Sequence, residues 1–90
     1  MSRSKYFDIE KIMKGAANHR RVEILFLLKK SSDLSTDGIV ELLKINYQTG
    51  AMHVQRLVKS GLVEGYRQGS TLLHKLSPLG RKIMDLLINI

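Results

Sequence analysis

The stretch from Tyr47 to Tyr66, YQTGAMHVQRLVKSGLVEGY, decides how the rest of the chain is read. It opens on small polar residues, runs at helical spacing, halts at Gly61 and resumes as the extended LVEGY. A helix advances about 100° per residue. On that wheel Gly50, Val54 and Leu57 share one side with Val58 close by, while Gln48, Met52, Gln55 and Lys59 fall opposite. Thr49 and Arg56 flank the outer set on one edge, Ala51 lies on the other, and His53 sits between the two faces. The spacing predicts a helix over about 47–60 with Gly61 as its C′ residue. Its inner stripe is expected to be buried, with Gly50 allowing close approach of the preceding helix. The outer face carries amide, hydroxyl, thioether and cationic groups and no carboxylate. An ordinary solvated helix carries a mixture of Glu and Lys instead.

Upstream, TDGIVELLK reads as a short helix capped by Ser35, with Asp37 in its first turn and Lys44 in its last. Both charges suit the helix dipole. Ile39, Leu42 and Leu43 are its expected buried stripe. The brief connection INYQ between two such helices predicts a helix-turn-helix. Before it, NHRRVEILFLLKK has Asn18 as N-cap and Val22, Ile24, Leu25, Leu27 and Leu28 as a central apolar set. Phe7, Ile9, Ile12 and Met13 predict a first helix over about 6–15, with Gly15 as its stop.

Downstream, LVEGYR and TLLHKL are strand-like and flank QGS, a turn signal, so a hairpin is expected over about 63–76. SPLGRKIMDLLINI starts a last helix over about 78–89, with Ser77 as N-cap and Pro78 at N1. Leu79, Ile83, Leu86, Leu87 and Ile90 line its apolar face. The expected architecture is mainly α with a small β-hairpin. It is a winged helix-turn-helix with flanking N- and C-terminal helices, in one domain over 1–90.

Composition narrows the function. The chain of 90 residues has a net charge of +7, which favours polyanionic partners. Up to Leu43 there are eight basic against six acidic residues; from Lys44 onward there are seven against two. The excess therefore lies in and after the quoted stretch. There is no cysteine, so disulfides, zinc ribbons and thiol redox centres are excluded. The three histidines, His19, His53 and His74, lack ligand spacing, and no metal or other cofactor is expected. No apolar run approaches the roughly 20 residues needed to span a bilayer. The N-terminus lacks the apolar core of a signal peptide. A cytoplasmic, nucleoid-associated location is expected. No nucleophile–base pair or phosphate-cradling glycine loop is present, which argues against an enzyme.

The outer face of the 47–60 helix suits a DNA duplex. Gln48 and Thr49 can address base edges, and Met52 lies beside them. Arg56 and Lys59 can neutralise phosphates, and Tyr47 can donate to one. Either a phosphate hydrogen bond or packing suits His53. At the hairpin tip, Arg67, Gln68 and Ser70 are placed to meet the backbone or an adjacent minor groove, with Lys75 on the returning strand. A protein–protein interaction module and a nonspecific architectural DNA binder are the alternatives.

GAANHRRVEILFLLKK, LSTDGIVELLKINYQTGAMHVQRLVKSGLVEGYRQGSTLLHKLS and LSPLGRKIMDLL together resemble winged-helix transcriptional regulators of the ArsR/SmtB type, the last with MarR-like features. The resemblance spans about 15–87. It implies a homodimeric DNA-binding regulator, a repressor, whose terminal helices pair and whose two inserted helices enter successive major grooves. It implies base reading at Gln48, Thr49, Met52 and His53, and pairing through Phe7, Ile9, Ile12, Met13, Ile83, Leu86, Leu87 and Ile90. Metal-sensing members carry cysteines on the helix before the turn, or Asp/His pairs on the last helix. IVELLK has no cysteine and the last helix offers only Asp85, so a variant that does not sense metal is implied. Any effector would act at the dimer interface or be a partner protein.

Overall fold

The computed structural model describes residues 3–89. It contains α1 (Arg3–Ala16), α2 (His19–Lys30), α3 (Thr36–Leu43), α4 (Tyr47–Lys59), β1 (Val63–Gln68), β2 (Thr71–Leu76) and α5 (Pro78–Leu87). This is the five-helix, one-hairpin order expected, with ends shifted by a few residues. Ile90, expected at a dimer interface, lies outside the described residues.

Local chemistry sets most element starts. The Asn18 side chain accepts from the Arg20 and Arg21 amides at 2.9 and 3.3 Å. Ser35 accepts from Gly38 N–H at 3.0 Å and Ser77 from Gly80 N–H at 2.9 Å. Asn46, passed over as a loop residue in the sequence, caps α4 by accepting from Thr49 N–H at 3.2 Å. Each cap satisfies a donor that the helix cannot, worth about 1 kcal/mol. Lys44 lies one residue beyond α3 rather than in its last turn. Its left-handed backbone, φ 55°, swings the chain into α4.

The core is Ile24, Leu25 and Leu28 of α2, Ile39 of α3, Val54 and Leu57 of α4, Leu62, Val63, Leu76, and Met84 of α5. Two glycines in it mark backbone contacts. A Cβ on Gly50 would stand 2.2 Å from Val40 Cγ1, so α3 and α4 touch there, as expected. A Cβ on Gly80 would stand 2.1 Å from the Leu62 carbonyl oxygen, which seats the first turn of α5 on the α4–β1 junction.

Three expectations are corrected. Gly15 does not stop α1; it lies inside the helix, where a Cβ would stand 2.2 Å from Ser60 Cβ. Leu42 is 58% exposed, not buried. Helix α3 turns Ile39 and Leu43 to the core and Val40 to Gly50, which leaves Leu42 beyond the sheltered sector. Val58 is exposed as well, on the edge of α4 that faces the hairpin.

The hairpin pairs antiparallel from Val63↔Leu76 to Gln68↔Thr71. Gly69, at φ 64°, takes the first position of its two-residue turn, where the strand twist calls for positive φ. A single bridge, Leu34↔His74, ties β2 to the segment before α3. His74 N–H donates to the Leu34 carbonyl at 2.8 Å, and Asp33 N–H to the His74 carbonyl at 2.9 Å. The Tyr66 hydroxyl donates to the Asp33 carboxylate, and that bond raises the Tyr66 pKa above its ordinary value. The middle of the hairpin is thus tied to the segment before α3, while its tip projects.

Candidate nucleic-acid interface

Helix α4 stands in the body by its inner stripe, Gly50, His53, Val54 and Leu57. Its exposed residues are Tyr47, Gln48, Thr49, Met52, Gln55, Arg56, Val58 and Lys59. Seven of these eight belong to the outer face and its edges or to the first turn, as the wheel placed them. Gln55 belongs with them as fully as Gln48 does. No carboxylate interrupts this surface on α4.

His53 is the correction. It was expected among the residues that meet DNA, yet it is only 5% exposed. Its wheel position faces α2, and packing there, not the period, decides its burial. Its Nδ1 is buried without a hydrogen-bond partner. Burial holds its pKa below the ordinary histidine value, and Arg21, Arg56, His19 and Arg20 push the same way. His53 therefore supports α4 from behind and does not reach outward.

The hairpin supplies the second part of the surface. Arg67, Gln68, Gly69, Ser70 and Thr71 are all exposed at its tip. Arg67 donates through Nη1 to the Ser70 carbonyl at 3.3 Å, a light tether that leaves the guanidinium outside. Lys75 is half-buried, its ammonium 5.2 Å from the centre of the Tyr66 ring, a cation–π distance. Between α4 and the hairpin runs a cleft of about 470 Å³, lined by Thr36, Tyr47, Gln55, Lys59, Gly65 and Leu72 among others. Across the helix and hairpin, Arg56, Lys59, Arg67 and Lys75 stand against a single carboxylate, Glu64. Helix and hairpin flank one concave surface, cationic and amide-rich on its α4 side, while Lys75 lies beside Glu64 on the other face of the hairpin. Such a surface can take a phosphate backbone and present hydrogen-bonding groups to base edges.

No protein-family model and no curated protein matches the sequence. Solved structures do. The homodimeric winged helix-turn-helix DNA-binding domain of a possible ArsR-family transcriptional regulator from Mycobacterium bovis superposes with a TM-score of 0.83 at 25% identity, covering 99% of this chain and 84% of that one. HlyU from Vibrio cholerae gives 0.79 at 25% identity, over 97% and 94% of the two chains. The structural neighbours of this chain are ArsR-family winged helix-turn-helix transcriptional regulators. In the terms of that fold, α3 and α4 are the helix-turn-helix and the β1–β2 hairpin is the wing. The transcriptional repressor PagR of Bacillus anthracis has the same fold, with a TM-score of 0.85 at 23% identity over 96% and 99% of the chains.

The residues expected to pair two copies fall into two groups. Phe7, Ile9, Met13 and Leu86 are exposed, Leu86 by 75%. Ile12, Ile83 and Leu87 are half-buried against this chain's own core. A further apolar groove, about 720 Å³, runs along α2 between Val22, Phe26, Leu27, Leu43 and Ile88. Sequence periodicity passed over it because its residues come from three separate segments. Among the described residues, no helix is long and apolar enough to cross a membrane, and no group of His, Cys, Asp or Glu gathers in a way that could hold a metal ion.

Proposed function

We propose that the chain is a sequence-specific, double-stranded-DNA-binding transcriptional regulator that acts as a homodimer. The observation that carries this reading is the outer face of α4, exposed, free of carboxylates and continuous with the cationic wing. In this reading α4 lies in the major groove, with Gln48, Thr49 and Met52 toward base edges. Tyr47, Arg56 and Lys59 meet phosphates. Arg67, Gln68, Ser70 and Lys75 of the wing meet the backbone or an adjacent minor groove. His53 is left out of the contact set because it is buried. Bound across a promoter, the dimer excludes other proteins and so represses. It works in the cytoplasm, on the nucleoid, and needs no cofactor.

Pairing is assigned to α1 and α5, which expose Phe7, Ile9, Met13 and Leu86. The Mycobacterium bovis neighbour is described as homodimeric, which supports the same arrangement here. Two copies place two α4 helices about one duplex turn, roughly 34 Å, apart.

Alanine variants test the assignment of roles. Gln48→Ala and Thr49→Ala should lower the preference for a specific duplex over a scrambled one. Lys59→Ala and Arg67→Ala should weaken binding to every duplex about equally and flatten its salt dependence by about one charge each. Unchanged duplex binding in both Lys59→Ala and Arg67→Ala would sink the groove model.

A further inference from the structure

A second cationic concavity lies on the other edge of α4, away from the wing. It is a cleft of about 230 Å³ between α1, the start of α2 and the end of α4. Five cations line it: Lys11 and Lys14 from α1, Arg21 from α2, and Arg56 and Lys59 from α4, with Gly15 and Ser60 completing the wall. These residues are distant in sequence. Gly15 brings them together, because its missing side chain lets α1 rest directly on Ser60.

The cleft is built rather than incidental. Arg21 is fixed by donating through Nη1 to the carbonyl oxygens of Lys14 and Gly15, at 3.2 and 3.0 Å. That satisfies acceptors at the C-terminus of α1 and leaves its Nε buried with no partner. Arg21 is half-buried, and a buried donor left unpaired on it is costly unless something accepts from it. Among the described residues only Lys14 of the five has a carboxylate ion-pair partner, Glu10 at 3.4 Å, and that pair is well exposed. Arg20, the neighbouring cation, is already paired with Glu23 at 3.1 Å. The Ser60 hydroxyl donates to the Leu57 carbonyl at 2.8 Å, so the cations, not the hydroxyl, are left to bind. Behind them lies His53, with its unpartnered Nδ1. Like charges gathered this closely repel one another, and an anion relieves that repulsion. The volume fits a phosphate group and is small for a whole nucleotide, since pockets for drug-sized ligands start at about 300 Å³.

We infer that the α1–α2–α4 cleft is a phosphate-binding site. Its occupant is either a DNA backbone phosphate flanking the groove that α4 occupies, or the phosphate of a free small molecule. Arg56 and Lys59 belong both to the cleft and to the outer face of α4, so a duplex on α4 runs past the cleft mouth. The DNA source rests on the function proposed above; the free-phosphate source does not.

Two probes on the full chain test the site. In the first, inorganic phosphate is titrated into isotope-labelled protein at constant ionic strength, following the Gly15 and Ser60 amides and the Arg21 Nε–H by NMR. In the second, a duplex is titrated by fluorescence anisotropy across a salt series. Both compare the parent with the Lys11→Gln/Lys14→Gln variant, whose exposed positions should leave the unfolding midpoint in place. A saturable phosphate shift confined to the cleft, weakened in the variant, supports the site. So does a duplex salt slope reduced by about 1 in the variant, with affinity at low salt down about tenfold. The duplex effect without a phosphate shift assigns the cleft to the DNA backbone. The phosphate shift without a duplex effect assigns it to a free phosphate-bearing ligand. Absence of both effects overturns the proposal. A parent that binds no duplex removes the DNA reading, and the cleft then stands or falls on the phosphate titration.

Discussion

Helices α3 and α4 are built alike on the inside and differently on the outside. Each has a side-chain N-cap, Ser35 or Asn46, and each sends apolar residues to one core, Ile39 from α3 and Val54 and Leu57 from α4. They meet where Gly50 admits Val40. The exposed residues of α3 are Asp37, Glu41 and Leu42, whereas those of α4 are a tyrosine, two amides, a threonine, a thioether, a valine and two cations, without an acid. Packing asks nothing of an outer face, so a composition this biased reports on something other than folding. A polyanion is the partner for which removing every carboxylate matters, because each one retained would be repelled by phosphates.

The comparison can be broken from the inside first. Leu57 is completely buried, and Leu57→Ala should cost about 3 kcal/mol in a urea unfolding titration, the usual range for a leucine truncated in a core. Gln48→Ala on the same helix should leave that titration unchanged; equal losses would mean that the two faces are not distinct. Gly50→Ala should cost about 1–2 kcal/mol. Overpacking against Val40 outweighs the roughly 1 kcal/mol gained in helix propensity.

The outside is sharpened by moving charge. Gln55→Glu should lower duplex affinity about tenfold at low salt, since it adds a carboxylate to the face of α4 proposed to meet DNA. Glu41→Gln on α3 should change it far less. The two substitutions are isosteric and change the net charge in opposite directions, so effects of equal size and opposite sign would show that net charge, not the α4 face, sets binding.

The smallest effect is on pH dependence. His53 has a lowered pKa in the folded chain, so the unfolded chain takes up the proton first as pH falls. The stability that His53 contributes is fully present above the unfolded value of about 6.5 and is lost as pH falls from there through the folded value. Urea titrations from pH 7.5 to 5.5 should therefore show declining stability, with a shallower decline in His53→Gln. An equal decline would mean that other groups carry it.

Much of this organisation is legible in the sequence, for local reasons. Asn18, Ser35 and Ser77 cap the helices that they precede, Gly61 and Gly69 take positive φ, and the 3.6-residue period separates Gly50, Val54 and Leu57 from Gln48, Met52 and Lys59. What periodicity cannot supply is the neighbour on each flank. His53 is buried because α2 lies on that edge, and Val58 is exposed because only the open cleft to the wing lies on the other. Met84 is completely buried through contacts that the apolar stripe of α5 did not single out. The Lys11, Lys14 and Arg21 cluster joins Arg56 and Lys59 only through the Gly15–Ser60 contact, which no local pattern announces.

The most direct test is an anisotropy titration of the parent chain against two duplexes across a salt series, one taken from upstream of its own gene and one a scramble of equal length. Salt-dependent binding with a clear preference for the upstream duplex is the expected result. No binding to either at low salt would contradict it.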